Sequence, residues 1–308
     1  MPKAALAFAL FLVSLRPASA ADSDWPAMST AYLKSLVNLL SGLETTGDHF
    51  RFVKNEDIDL KVVLPGLKVP EKTLGLYIDR ERSMYLNREM LLDGVEELRR
   101  KGLPEREIPS ILAWKTLHIV VHEIRHGMNA RGLLAKKGVR FPVSYIEDEY
   151  IAFIDQMATI HEVLRVRPDL WDLDKILDIE KNVAVLLQAQ KQSIAGLKRL
   201  VKAQPRYANK PSVIDLGRIG LLADVRRREE RFDGLLRKHR EEISRRTSDP
   251  KESEERIRIA MEKYEPTLRD LRTGREFLED ERRYEALRSF VSDEMKSVER
   301  KLDSRRGR

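Results

Sequence analysis

Apolar residues recur along most of the chain with the three- and four-residue spacing of helices, and only one short region alternates as strands do. In residues 21–47, Tyr32, Leu33, Leu36, Val37, Leu39 and Leu40 trace a helical stripe. From His49 to about Val69 the pattern reads as mixed short strands and turns, broken at Pro65-Gly66. Two β-prone runs follow, Leu74 to Ile78 and Ser83 to Asn87, separated by polar Asp79 to Arg82. They predict a hairpin. Residues 88–101 predict a polar amphipathic helix. Ile108 to Met128 is apolar nearly all round, the pattern of a buried helix, and Gly127, Gly132, Gly138 and Pro142 mark its end and the loop beyond. A second helix is expected from Ser144, where Ser144 and Glu147 fit a capping box, with a stripe through Ile146, Tyr150, Phe153, Ile154, Met157, Ile160 and Leu164.

From about Trp171 onward the pattern is almost wholly helical. Ser212 to Gly217 suggests a boundary, and Ser248-Asp249-Pro250 a turn. The stripes on either side of that turn are narrow and spaced like a coiled coil, with a kink expected at Pro266. The predicted fold is therefore mostly α with a small β-hairpin or sheet, followed by a long helical or coiled-coil C-terminal region. Its expected divisions are 1–20, a signal peptide; 21–69, a helix and short strands; 70–168, the core; 169–216, a helical connector; and 217–308, a charged helical hairpin that offers a surface for a helical partner or self-association.

Charge changes this picture little. The chain of 308 residues holds 57 Lys and Arg against 50 Asp and Glu, a formal net charge of +7. The two signs interleave, as in Arg226-Arg227-Arg228-Glu229-Glu230-Arg231, so a solvated helical surface is expected and nucleic-acid binding is not. The lack of cysteine excludes disulfides, thiolate zinc ligands and thiol catalysis. The N-terminus carries an address: Lys3, an apolar run from Ala4 to Leu15, and Ala18-Ser19-Ala20 form the three parts of a cleavable signal peptide, with cleavage expected after Ala20. A periplasmic or secreted protein without a further membrane-spanning segment is the implied destination.

Candidate chemistry concentrates on the buried helix. His122-Glu123-Ile124-Arg125-His126 puts two imidazoles one turn apart on one face, able to share a metal, with Glu123 placed beside a metal-bound water rather than on the metal. The bare pattern arises by chance in roughly one chain in a hundred, so its context matters. Unpartnered imidazoles in an apolar helix cost free energy, and a metal compensates them. Catalytic zinc takes three protein ligands and keeps one position open. Glu147, Asp148 and Glu149 on the next helix are available as the third. Glu147 is engaged by the capping box, and Ala152 lets the helices approach near Glu149, which favours Glu149 over Glu147. Tyr145 and Tyr150 are candidates to stabilise an oxyanion. His118, one turn before His122 on the same face, is read as a core histidine ahead of an outer partner of the site; His161 is expected to be structural, and His49 and His239 show no partner in sequence.

The motif His122 to His126 followed by Glu149-Tyr150-Ile151-Ala152-Phe153 resembles the gluzincin branch of zinc metallopeptidases, over roughly residues 70–165. The resemblance implies Zn2+ held by His122, His126 and Glu149, Glu123 as general base, a peptide or protein substrate, and an edge strand within 74–87 that binds substrate by β-augmentation. Arg125 departs from the family's usual apolar filling between the histidines. The expected function is an exported zinc-dependent peptidase. The rival expectation is a non-catalytic helical envelope scaffold that retains the motif for metal binding or as a relic, and a third is binding of anionic surfaces through the basic C-terminal hairpin.

Overall fold

The computed structural model of the protein describes residues 25–64, 73–173, 193–247 and 249–306. The leader expected at 1–20 lies outside them. No helix of the described residues is long and apolar enough to cross a membrane.

The protein is mostly α with a small three-stranded sheet. Helix α1 (Trp25–Gly42) buries Trp25, Tyr32, Leu36 and Leu40, the stripe legible in sequence. Helix α2 (Gly47–Asn55) lies where strands and turns were expected. It spans only nine residues and buries His49 alone, so no apolar stripe advertises it. Strand β1 (Asp59–Val63) pairs in parallel with β3 (Ser83–Asn87), and β2 (Gly75–Ile78) pairs antiparallel with β3, giving the order β1-β3-β2. The expected hairpin is thus present, closed by a 3-10 turn at Asp79–Glu81 with Arg82 in the left-handed region at φ 46°. Central β3 is buried along its length, and β2 is an edge. Asn87 then caps α3 (Arg88–Arg100), its side chain accepting from the amides of Glu89 (3.1 Å) and Met90 (3.3 Å).

Helix α4 (Ile108–Lys137) runs through the middle of the molecule and is longer than the sequence pattern suggests. Its true end is Gly138, at φ 66°. Gly127 and Gly132 lie inside it because neighbours press on the backbone there. A Cβ at Gly127 would lie 2.6 Å from the Tyr77 ring, and one at Gly132 would lie 3.2 Å from Phe290. Gly127→Ala is therefore expected to push Tyr77 and β2 away from α4, at a cost of about 1–3 kcal/mol. Thermal melting checks this, and an unchanged or raised Tm would show that the ring simply turns aside.

Helix α5 (Ile146–Val166) packs along α4. The capping box is not formed: Tyr145 holds the cap position, and no side chain caps the helix. Glu147 instead accepts from the Ser212 hydroxyl and from the amides of Val213 (3.0 Å) and Ile214 (3.3 Å), while the Ile146 amide donates to the Pro211 carbonyl at 2.9 Å. Three donors from a distant segment outcompete one local partner. They pin the chain after α6 (Ile194–Ala203) and the single turn α7 (Pro205–Ala208) against the start of α5.

Helices α8 (Gly217–Arg246) and α9 (Pro250–Glu279) pack on each other antiparallel, with Phe232 against Tyr264 at 5.9 Å and Arg226 against Glu279 at 3.0 Å. Pro266 stays inside α9. Helix α10 (Glu281–Arg306) does not join that pair along its length. Its Val298 and Leu302 enter the apolar cluster around Ile151, Ile154, Met157 and Ala158 of α5, and Phe290 reaches α4 at Gly132. The apolar stripe of α10 is thus covered by the core.

Candidate metal centre

The i, i+4 spacing on α4 sets the His122 and His126 rings 5.0 Å apart, edge to face. Glu149, in the first turn of α5, faces both. Its Oε2 lies 3.6 Å from His122 Nε2 and 3.9 Å from His126 Nε2. One ligand atom from each of the three residues falls within 4.8 Å of the others, and among the described residues no other group of three potential ligands does so. Glu149 and His122 are buried, and Phe153 packs its ring against His122 at 4.5 Å. Glu147, the other candidate ligand, is turned to residues 212–214 as described above.

The donor set fits a divalent cation of the zinc class. Glu149 Oε2 is buried without a hydrogen-bond partner, although buried polar atoms are nearly always paired. The other Glu149 oxygen, Oε1, accepts from Lys210 Nζ at 2.7 Å, which leaves Oε2 as the free ligand atom. His126 Nδ1 lies 2.7 Å from Asp148 Oδ2. With Asp148 accepting, the ring carries its hydrogen on Nδ1 and presents the Nε2 lone pair toward Glu149, the arrangement that orients metal-bound imidazoles in many proteins. Without an ion the surroundings favour a charged ring: burial pulls His126 down, but Asp148, Glu149 and Glu123 outweigh it and the imidazole is pushed up to about 10, so a bound cation would take the place of the Nε2 hydrogen. Burial raises the Glu149 carboxyl, while His122, His126 and Lys210 hold it well below the usual carboxylate range. The three carboxylates thus create a strong demand for positive charge at this point.

Glu123 turns toward the sheet. Its Oε2 accepts a long hydrogen bond, 3.4 Å, from the backbone amide of Tyr77 on edge strand β2. A Cβ at Gly75 would lie 3.3 Å from Glu123 Cγ, so the strand passes close beside the general-base candidate because position 75 has no side chain.

The two tyrosines named from the sequence face other groups than Tyr207 does. Tyr145 is buried beside Phe141, and the charges nearest Tyr150 are Glu147 and Asp215. Tyr207, on α7, is the phenol that faces the centre. Burial, then the charges of Glu149 and Glu123, push it far above its ordinary range, so it stays a hydrogen-bond donor. Its ring packs edge-on against Phe153 at 5.8 Å. Tyr207 and Lys210 carry no local motif; only the pinning of residues 211–214 by Glu147 and the first turn of α5 brings them here.

Three of the remaining histidines have structural partners. His118 Nδ1 meets Gln156 Nε2 at 2.8 Å, and burial lowers its pKa to about 3. His49 Nε2 sits 2.9 Å from Asp155, and His239 stands edge-on to Tyr264 at 6.3 Å. Arg125 points away from the imidazoles. Its guanidinium meets Glu294 of α10 and lies 3.6 Å from Asp155, and its Nε donates to Asn129 Oδ1 at 3.0 Å. The charge between the motif histidines therefore ties α4 to α10 and leaves the ligand face free.

Compared with known proteins, the chain matches no protein-family model, no curated protein and no solved structure.

Proposed function

We propose that this protein is an exported zinc-dependent peptidase. The observation that carries the reading is the convergence of His122, His126 and Glu149 beside a carboxylate, Glu123, that touches the backbone of an open strand edge. His122, His126 and Glu149 would hold the ion. Zinc in such a set supplies Lewis acidity toward water and toward a carbonyl oxygen. Lys210 keeps one Glu149 oxygen occupied and so directs the other to the ion. An extended peptide laid along β2 would bring its backbone past Glu123. Glu123 accepts the proton of the attacking water and returns it to the leaving nitrogen. Tyr207 donates to the carbonyl oxygen as it gains charge.

A non-catalytic scaffold with a structural ion draws support from the enclosure of the ligands, with Glu149 only 5% and His122 7% exposed. The full chain, purified without chelator, is expected to carry close to one zinc per molecule and to cleave an unstructured polypeptide. Stripping the ion should abolish cleavage and lower Tm, and added zinc should restore both. A chain that takes up no zinc sinks the metal centre. A zinc-loaded chain that cleaves no peptide in a broad mixture sinks the peptidase and leaves the scaffold.

Tyr207→Phe separates oxyanion stabilisation from binding. It is expected to lower kcat by about 10²–10³-fold, as loss of one such donor does, with KM and zinc content near the parental values. A variant with parental kcat would remove Tyr207 from the mechanism.

A further inference from the structure

We propose that α10 is part of the metal centre: Glu294 fixes the His126 ligand through an unbroken chain of side-chain hydrogen bonds. The proposal rests on the metal-centre reading above, and extends it to a helix that contributes no ligand. Glu294 Oε2 accepts from Arg125 Nη2. Arg125 Nε donates to Asn129 Oδ1 at 3.0 Å, Asn129 Nδ2 donates to Asp148 Oδ1 at 2.7 Å, and Asp148 Oδ2 meets His126 Nδ1 at 2.7 Å.

The chemistry of the links gives the chain a single direction. A guanidinium has donors and no acceptor, so Asn129 must present its oxygen to Arg125. Its amide nitrogen is then the group left for Asp148. Flipping the amide would set donor against donor at Arg125 and acceptor against acceptor at Asp148. Asp148 therefore accepts on one oxygen from Asn129 and has the other for the ring. The His126 hydrogen is held on Nδ1, and the Nε2 lone pair faces Glu149. The orientation of His126 is thus tied, four links from Glu294, to a side chain that can only donate.

Glu294 holds the first link. Arg125 has a competing anion, Asp155, 3.6 Å from its other terminal nitrogen. Without Glu294 the guanidinium is free to swing toward Asp155 and draw Nε from Asn129. Glu294 itself is steadied by Lys136, whose Nζ meets its Oε1 at 2.6 Å. Asn129 is buried, and Arg125 and Glu294 are largely buried, so water does not readily replace a lost link.

The test is a double-mutant cycle on the full chain, read as zinc affinity by chelator competition and as the visible spectrum of the Co2+ form. Glu294→Ala and Asn129→Ala are each expected to weaken zinc binding by about tenfold, the usual scale for loss of an outer partner of a ligand. Once Asn129 is gone Glu294 has nothing to act through, so the double variant should bind no more weakly than Asn129→Ala alone. Lys137→Ala, which removes a contact between α4 and α10 outside these links (Lys137 Nζ to Ser289 Oγ, 3.3 Å), should stay within twofold of the parent. Additive losses in the double variant, or parental affinity and an unchanged cobalt spectrum in both single variants, would overturn the proposal. Either single variant carries the test if the other does not fold. A parent that binds no zinc would instead overturn the metal centre itself, so the two failures are distinguishable.

Discussion

Glu123→Gln is expected to leave the zinc content of the protein unchanged and to cut peptide hydrolysis by about 10²–10⁴-fold, the range for loss of a positioned general base. The side chain keeps its length, and the amide oxygen still accepts from the Tyr77 amide at the strand edge. What disappears is the ability to take a proton and give it back. Because Glu123 is not a ligand in this arrangement, the ion should be retained, and with it the stability the ion confers. The measurement is kcat on a peptide substrate beside metal content on the same sample. Parental turnover would remove Glu123 as the base, and loss of zinc would mean that the carboxylate ligates.

Asp155→Asn is expected to be the most destabilising conservative change, at about 3–5 kcal/mol, the cost of breaking a buried ionic cluster from one side. Asp155 is fully buried and collects two cations and one imidazole from three helices. His49 Nε2 of α2 lies at 2.9 Å, Arg125 Nη1 of α4 at 3.6 Å, and Lys301 Nζ of α10 is hydrogen-bonded to it. Lys301 also donates to the Thr45 carbonyl at 2.7 Å, so the cluster joins the start of the chain's fold to α10. The amide substitution takes the buried counter-charge from Lys301 and leaves Arg125 to Glu294 alone. A fall in Tm of about 10 °C is the expected reading. The pH dependence follows from the same contacts. Burial raises the Asp155 carboxyl, but His49, Lys301 and Arg125 outweigh it and hold it well below the usual range. A carboxyl depressed in the folded state contributes stability that is complete above the unfolded value, about 4, and is lost as the pH falls through the folded value. The parent should therefore lose stability steeply below pH 4, and the Asn variant should show a flatter acid limb. Equal acid limbs would show that Asp155 is not the titrating group.

The fold class was legible because helical periodicity is local: the stripes of α1, α4 and α5 are visible residue by residue. Pairing is not local. The parallel partner of β3 and the short helix α2 left no readable stripe. Glycine was ambiguous for a physical reason. Gly138 ends α4 by its left-handed backbone, whereas Gly127 and Gly132 sit in mid-helix to admit Tyr77 and Phe290, and composition alone does not distinguish these roles. Ser144 and Glu147 matched a local capping pattern that a distant segment overrode. At the candidate centre, the spacing of His122 and His126 and the smallness of Ala152 pointed to the side chains that converge with Glu149. Asp148 stood beside Glu149 in plain view, but its role toward His126 depends on rotamers. Tyr207 and Lys210 arrive by tertiary contact alone and could not have been named from the chain.

The separation of Arg125 from Glu294 sets a timetable for assembly. His126 and Asp148 are 22 residues apart, whereas Arg125 and Glu294 are 169 apart. The added loop-closure cost of the longer span is only about 2 kcal/mol, so the difference barely touches the final equilibrium. It does touch order. A growing polypeptide exposes both imidazoles and their nearest carboxylates long before α10 exists, and contacts so distant along the chain form late. If the proposed centre holds its ion, the emerging protein would pass through a stage with loosely held histidines and become a tight chelator when α10 docks, so that secure capture of the ion would mark the end of maturation.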